Sequence, residues 1–153
     1  MMTPEEKLTE LGLTLPEVVK PVAAYVPAVR TGNLVYTSGQ VPIVDGKPAG
    51  TGKLGAEVSL EQGYEMARIC ALNALAALKA EVGDLSKIVR VVKVVVFVAS
   101  EPSFTDQPKV GNGASDLLGE VLGEAGKHAR SAVGVAALPL NVPVEVELIA
   151  EVG

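Results

Sequence analysis

Arg130 is the residue whose type and setting most demand a chemical partner. It sits in His128-Ala129-Arg130-Ser131-Ala132-Val133-Gly134-Val135-Ala136, a run that is otherwise mostly small and apolar. Leu138-Pro139 follows, and the chain returns through Val144-Glu145-Val146-Glu147. A guanidinium on a half-buried strand is costly unless something anionic meets it. On an alternating strand Arg130 shares its face with Ala132, Gly134 and Ala136, which leaves space in front of it. Two anions fit that space. One is an acid of the same chain, Glu145 or Glu147, forming an ion pair. The other is the carboxylate of a small ligand, gripped by the guanidinium fork. The pattern leaves both open, just as it leaves Glu145 and Glu147 open between a solvent face and an acid–base role. A hairpin turning near Leu140-Asn141 sets Arg130 opposite residues near Ala150, not opposite Glu145. If Arg130 and Glu145 meet, a subunit interface is the route that spacing suggests.

Other chemistries find less support. His128 is the one histidine and Cys70 the one cysteine. That is too few for a structural zinc site and leaves no set of ligands for a catalytic one. A Ser-His-Asp triad would have to use His128, and no Gly-x-Ser-x-Gly elbow exists. His128 ends a loop two residues before Arg130, as a surface histidine, a proton carrier or an anion contact. Cys70 falls mid-helix on an apolar pattern and is expected to be packed and inert. Gly50-x-Gly52-x-x-Gly55 spells a dinucleotide fingerprint, but no strand runs directly into it and no helix directly out of it. It is expected to be a loop, with Lys53 the residue that could aim it at an anion.

The elements that must position these residues follow from caps, breakers and periodicity. Thr3-Pro4-Glu5-Glu6 opens a short helix that Gly12 ends. Pro16, Pro21 and Pro27 extend the next stretch. Tyr25–Arg30 and Leu34–Ser38 form a hairpin about Thr31-Gly32-Asn33, and 39–57 is loop. Ser59 and Gln62 make a capping box for a helix that runs to Val82, with Gly83 behind it. Ala67, Ala71, Ala74 and Leu78 form its close-packing stripe. Ile88–Ala99 is a strand apolar enough for burial on both faces, the second face being one that another subunit could cover. A second helix is expected over Asn112–Leu122, then strands Arg130–Ala137 and Val144–Val152. The order is ββαβαββ: an α+β fold with a mixed sheet and two helices on one face. The whole chain, 1–153, reads as a single domain with residues 1–20 as an N-terminal extension.

The 153 residues carry 48% hydrophobic side chains and a net charge of −5. The mean hydropathy is +0.36 and the pI about 4.9. No apolar run reaches the ~18 residues of a membrane span, so the excess apolar surface points to an oligomer. Few aromatics and no basic stripe argue against nucleic acid as a partner. The N-terminus has no basic or apolar leader pattern, so the cytoplasm is the default location.

Two segments are similar to a known family. Tyr25 followed by Leu34-Val35-Tyr36-Thr37-Ser38-Gly39-Gln40-Val41-Pro42 resembles the N-terminal motif of the YjgF/YER057c/UK114 (RidA, reactive-intermediate deaminase) family. Ala129-Arg130-Ser131-Ala132-Val133 through Leu138-Pro139 to Val144-Glu145-Val146-Glu147 resembles its C-terminal signature. The resemblance runs from about residue 21 to 152. The chain's length, its N-terminal segment, the Gly50–Glu57 loop and the Asn112–Leu118 stretch look like a longer, less characterised branch. His128 stands where better-known members commonly have proline.

The resemblance implies a chorismate-mutase-like fold and a homotrimer with clefts between subunits. It implies cofactor-free and metal-free hydrolysis of small enamines and imines, such as 2-aminoacrylate, to a keto acid and ammonia. Arg130 would grip the substrate carboxylate and Glu145 would position or activate water. Tyr25, Ser38, Gly39, Asn112 and His128 would line the cleft. The alternatives within the same resemblance are a non-catalytic small-ligand-binding or chaperone-like trimer and, less favoured by the acidic charge, an endoribonuclease or translation inhibitor.

Overall fold

The computed structural model describes residues 1–18 and 23–153; Pro21, one of the three prolines expected to extend this stretch, lies outside the described residues. The sequence builds α1 (Pro4–Glu10), β1 (Ala28–Thr31), β2 (Leu34–Thr37), β3 (Ile43–Val44), β4 (Lys47–Pro48), α2 (Leu60–Val82), β5 (Ile88–Ala99), α3 (Gln107–Leu122), β6 (Ala129–Val135) and β7 (Val144–Val152). The expected ββαβαββ frame is present, with α1 in front and one small addition. The expected loop 39–57 contains the β3–β4 hairpin, turned by Asp45 and Gly46, both at positive φ (51° and 80°). Asp-Gly is the dipeptide that a tight turn of this hand favours.

Five strands form one sheet in the order β1-β2-β7-β5-β6. Its pairs are antiparallel except β5 with β6, which run parallel. β6 and β7 are therefore not a hairpin, because β5 lies between them. α2 and α3 cover one face. Val94, Val96 and Val98 of β5 and Val144, Val146, Leu148, Ala150 and Val152 of β7 are buried beneath them.

α2 owes its close seat to small residues. Ala67, Ala71, Ala74 and Leu78 are all fully buried. The Ser59 capping box is formed, with Ser59 and Gln62 each bonded to the other's backbone N–H. α3 begins at Gln107, not at Asn112 as expected. Pro108 lies in its first turn, where the missing N–H costs nothing. Its Gly111 and Gly113 are weak helix formers, but Gly113 lies directly against the Tyr64 carbonyl of α2, so close packing outweighs propensity. Tyr64 Oη donates to Asp116 (2.5 Å) and Arg68 pairs with Glu120 (3.1 Å), tying the two helices together.

The other face of the sheet is open in the single chain. β5 is buried on the helix side only; Val92 on it is exposed, as are Val29 and Tyr36 on β1 and β2 and Val133 on β6. The burial of β5 on both faces is thus not met within one copy. Among the described residues, no helix is long and apolar enough to cross a membrane.

Candidate functional site

The sheet register separates the predicted residues into two groups. Arg130 stands opposite Val94, which stands opposite Leu148. Glu145 stands opposite Phe97, which stands opposite Val133. Val94 and Leu148 face the helices, whereas Glu145 alternates with buried Val144 and Val146 and so faces the open side. Two strand spacings and three residues along the strand put Arg130 and Glu145 about 14 Å apart, on opposite faces. Of the two anions the pattern left open for Arg130, an acid of the same chain is not its partner: among the described residues no acid pairs with Arg130.

The first group surrounds Arg130 at the β6 edge. Its Nη1 donates to Asn112 Oδ1 (2.9 Å) and to Ser115 Oγ (3.1 Å), both on α3. His128 reaches Ser115 Oγ through Nε2 (2.8 Å) and the Gly126 carbonyl through Nδ1 (2.6 Å). Both ring nitrogens are engaged within the chain, so His128, read from the sequence as a surface histidine, a proton carrier or an anion contact, is tied into the fold. Gly111 packs beside the guanidinium, where an added Cβ would lie 3.4 Å from Nη1, from Ala132 Cβ and from Val96 Cγ2. Arg130 is thus held by the neutral side chains of Asn112 and Ser115, with no acid paired to it among the described residues.

The second group lies along a groove of about 1140 Å³. Tyr25, Ser38, Gly39 and Glu145 all line it. Its geometry comes from a bulge at the end of β2. Tyr36 pairs with Ile149, and Gln40 bridges to Val146. Four steps on one strand thus answer three on the other, and the extra residue falls at Ser38-Gly39. Bulges of this kind redirect side chains at sites. The bulge brings the Gly39 backbone against the Glu145 carboxylate, leaving no room for a Cβ. Ser38 donates its hydroxyl to Val26 O (2.5 Å) and its N–H to Pro27 O (2.8 Å), which holds the Tyr25–Pro27 segment in place.

Glu145 is half-buried, and burial raises its carboxyl above the ordinary glutamate range, with the charge of Glu147 adding to the effect. Cys70 is fully buried, and burial pushes its thiol well up, as expected for a packed, inert residue. Among the described residues, no cluster of three or more His, Cys, Asp or Glu is arranged to hold a metal. The Gly50–Gly55 stretch is a structural strap. Leu54 is fully buried and bridges to Ser100, while Gly52 N–H donates to Asn141 O (2.8 Å).

Three contributors were missed in the sequence. Ser115 gave no signal beyond a polar residue on α3. Asn73, the one amide among the buried alanines of α2, donates to Val41 O (3.0 Å) and Ile43 O (3.2 Å) and lines the groove. Pro16, Glu17 and Val18 line it as well, so the N-terminal extension helps build the site.

Comparison with known proteins agrees with this architecture. Residues 5–152 match the family described as "YjgF/chorismate mutase-like, putative endoribonuclease". Protein TCP17 of Trypanosoma cruzi is 47% identical over 145 residues, 94% of this chain and 91% of that protein. The structure of Atu1372 from Agrobacterium tumefaciens, described as of unknown function, is 50% identical. It superposes with a TM-score of 0.93 over 98% of this chain and 92% of its own. A "putative endoribonuclease" from Shewanella oneidensis is 40% identical, with a TM-score of 0.96 over 99% and 100% of the two chains. With its α+β sheet, its helix layer and its nearly full-length match, this chain belongs to the YjgF/chorismate mutase-like family.

Proposed function

We propose that the protein hydrolyses small reactive enamines and imines that carry a carboxylate, of the 2-aminoacrylate type, to a keto acid and ammonia. The observation that carries this reading is the state of Arg130. Its guanidinium is fixed by Asn112 and Ser115 but neutralised by no acid among the described residues. A fixed, uncompensated guanidinium is a receptor for a carboxylate.

In this reading Arg130 of one copy and the Tyr25–Ser38–Gly39–Glu145 group of another form one cleft. The separation of the two groups within a chain and the open sheet face with exposed Val29, Tyr36, Val92 and Val133 support such an assembly. A homotrimer is the form that the family resemblance implies.

The chemistry needs modest help. The enamine takes a proton from solvent at its terminal carbon and becomes a protonated imine. Water held by Glu145 adds to the imine carbon, giving its proton to the carboxylate. Glu145 returns that proton to the amine nitrogen, and the C–N bond breaks as the carbinol hydroxyl gives up its proton to solvent, releasing ammonia and the keto acid. A carboxylate with a raised proton affinity suits that role at neutral pH, and anchoring through Arg130 supplies orientation. The residues named need no metal or cofactor for these steps.

The name endoribonuclease attached to the family and to the Shewanella protein supports a second reading, RNA cleavage. The net charge of −5 and the fully engaged ring of His128, the chain's single histidine, weigh against it. The test is release of ammonia and keto acid from 2-aminoacrylate generated in situ by a serine dehydratase. The wild type is expected to accelerate release and Arg130→Ala to lose the acceleration. Saturable binding without turnover would instead indicate a small-ligand-binding protein using the same cleft.

A further inference from the structure

The contacts of Arg130, Ser115 and His128 form a chain whose direction is fixed from one end. The Gly126 carbonyl can only accept, so His128 Nδ1, 2.6 Å away, carries the ring proton. In the neutral ring Nε2 is then an acceptor. Ser115 Oγ, 2.8 Å from it, must donate. That spends the single hydroxyl proton and turns the Ser115 lone pairs toward Arg130 Nη1, which donates over 3.1 Å. The second Nη1 hydrogen goes to Asn112 Oδ1 at 2.9 Å. Both hydrogens of Nη1 are consumed. The Nε–H and Nη2–H pair, the side-on edge of the guanidinium, has no partner among the described residues. That edge is one of the planar two-point donors that match a carboxylate.

We propose that Ser115 and His128 are positioning residues that clamp one edge of Arg130 and thereby present its Nε–Nη2 edge to the ligand carboxylate. The inference rests on the reading of Arg130 as a carboxylate anchor and adds how the anchor is aimed. Without the clamp the guanidinium would rotate about its terminal bonds, and part of the binding energy would go into ordering it. Asn112 alone cannot fix the plane, because one bond leaves rotation about its axis. Neither Ser115 nor His128 touches the ligand in this arrangement. Their effect passes through Arg130, so it must vanish when Arg130 is replaced.

The test has a ligand-free arm and a ligand arm. In the first, the side-chain nitrogen signals of Arg130 are followed by NMR in 15N-labelled full-length protein, assigned by difference from Arg130→Lys. Separate, slowly exchanging Nη signals are expected in the wild type and in Ser115→Thr, which keeps the hydroxyl. They are expected to merge in Ser115→Ala and in His128→Phe. The 15N shifts of His128 should report the Nδ1–H tautomer. Merged Arg130 signals in the wild type, or an Nε2–H tautomer, overturn the proposal.

In the second arm, pyruvate is titrated as the carboxylate probe. Ser115→Ala is expected to weaken binding about three- to tenfold, the worth of one hydrogen bond. Ser115→Thr should restore it, and Ser115→Ala should have no further effect in an Arg130→Lys background. An equal loss in both backgrounds shows a merely structural role and overturns the clamp. If Arg130→Ala binds pyruvate as well as the wild type, the anchor reading fails, and the ligand-free arm still decides whether the clamp exists.

Discussion

Gly39 and Glu145 occupy one another's space so closely that a methyl group on Gly39 would collide with the Glu145 carboxylate. The glycine is required by this approach and not by its backbone angles, since Gly39 is not among the glycines with positive φ. Gly39→Ala should therefore fold normally and push Glu145 out of position. A shift of about 1 Å at a group that orients a reactant can cost up to about a hundredfold in rate. The expectation is a loss of tenfold or more in deamination with an unchanged circular dichroism spectrum. Full activity in Gly39→Ala would remove Glu145 from the reaction.

Glu145 itself predicts a pH dependence. The folded chain holds its proton more tightly than the unfolded chain does, because burial and Glu147 disfavour the charge. The folded state then binds more protons in the window above the ordinary glutamate value, and stability falls as pH rises through that window. Glu145→Gln carries no such cost. Its melting temperature should match the wild type near pH 4 and exceed it by about pH 7. The opposite sign would be equally informative. It would mean that the assembled protein brings a cation to Glu145, as Arg130 of a neighbouring copy would.

Much of the frame was legible because its signals are local. Ser59, Gln62 and Gly83 mark the ends of α2, and the alanine stripe marks its inner face. Arg130 and Glu145 were singled out by type against an apolar background. What was hidden is what depends on long-range pairing. Parallel β5–β6 pairing places β5 between β6 and β7, and no local pattern encodes that order. It is also why the sequence left the partner of Arg130 open, since alternation assigns faces only within a strand. The start of α3 was hidden by Pro108 and Gly111, which break a helix in isolation; in place Pro108 sits in the first turn and Gly111 packs against Val96, Arg130 and Ala132. Ser115 and His128 meet across a turn whose shape the sequence leaves unstated.

Two glycines on α3 separate packing from propensity. A Cβ on Gly113 would overlap the Tyr64 carbonyl and come within 3.1 Å of Ala67 Cβ, while one on Gly119 would meet nothing within 4 Å. Alanine gains about 1 kcal/mol in helix propensity over glycine at either position. At Gly119 nothing opposes that gain, so Gly119→Ala should stabilise by about 0.5–1 kcal/mol. At Gly113 the obstacle is backbone, which cannot turn aside, and overpacking costs about 1–3 kcal/mol. Gly113→Ala should therefore be net destabilising. Paired urea unfolding curves read both signs, and a stabilised Gly113→Ala would mean that α2 and α3 can part without cost.

Asn73 connects the helix layer to the groove. It is buried at 4% exposure, and its amide nitrogen donates to both Val41 O and Ile43 O. Val41 and Ile43 line the groove together with Glu145. Asn73→Leu keeps the same number and branching of side-chain heavy atoms and removes both bonds. Ile43 O then loses the Asn73 donor, whereas Val41 O keeps the Ile43 N–H at 2.8 Å. An unmet buried acceptor costs about 1–3 kcal/mol. The segment can escape that cost by lifting toward solvent, which would widen the groove. The expectation is a destabilisation near the low end of that range and faster hydrogen exchange confined to residues 41–49. The Michaelis constant for the imine should rise more than the turnover number falls. Uniform loss of protection across α2 and the sheet would show instead that Asn73 serves global stability and does not hold the groove wall.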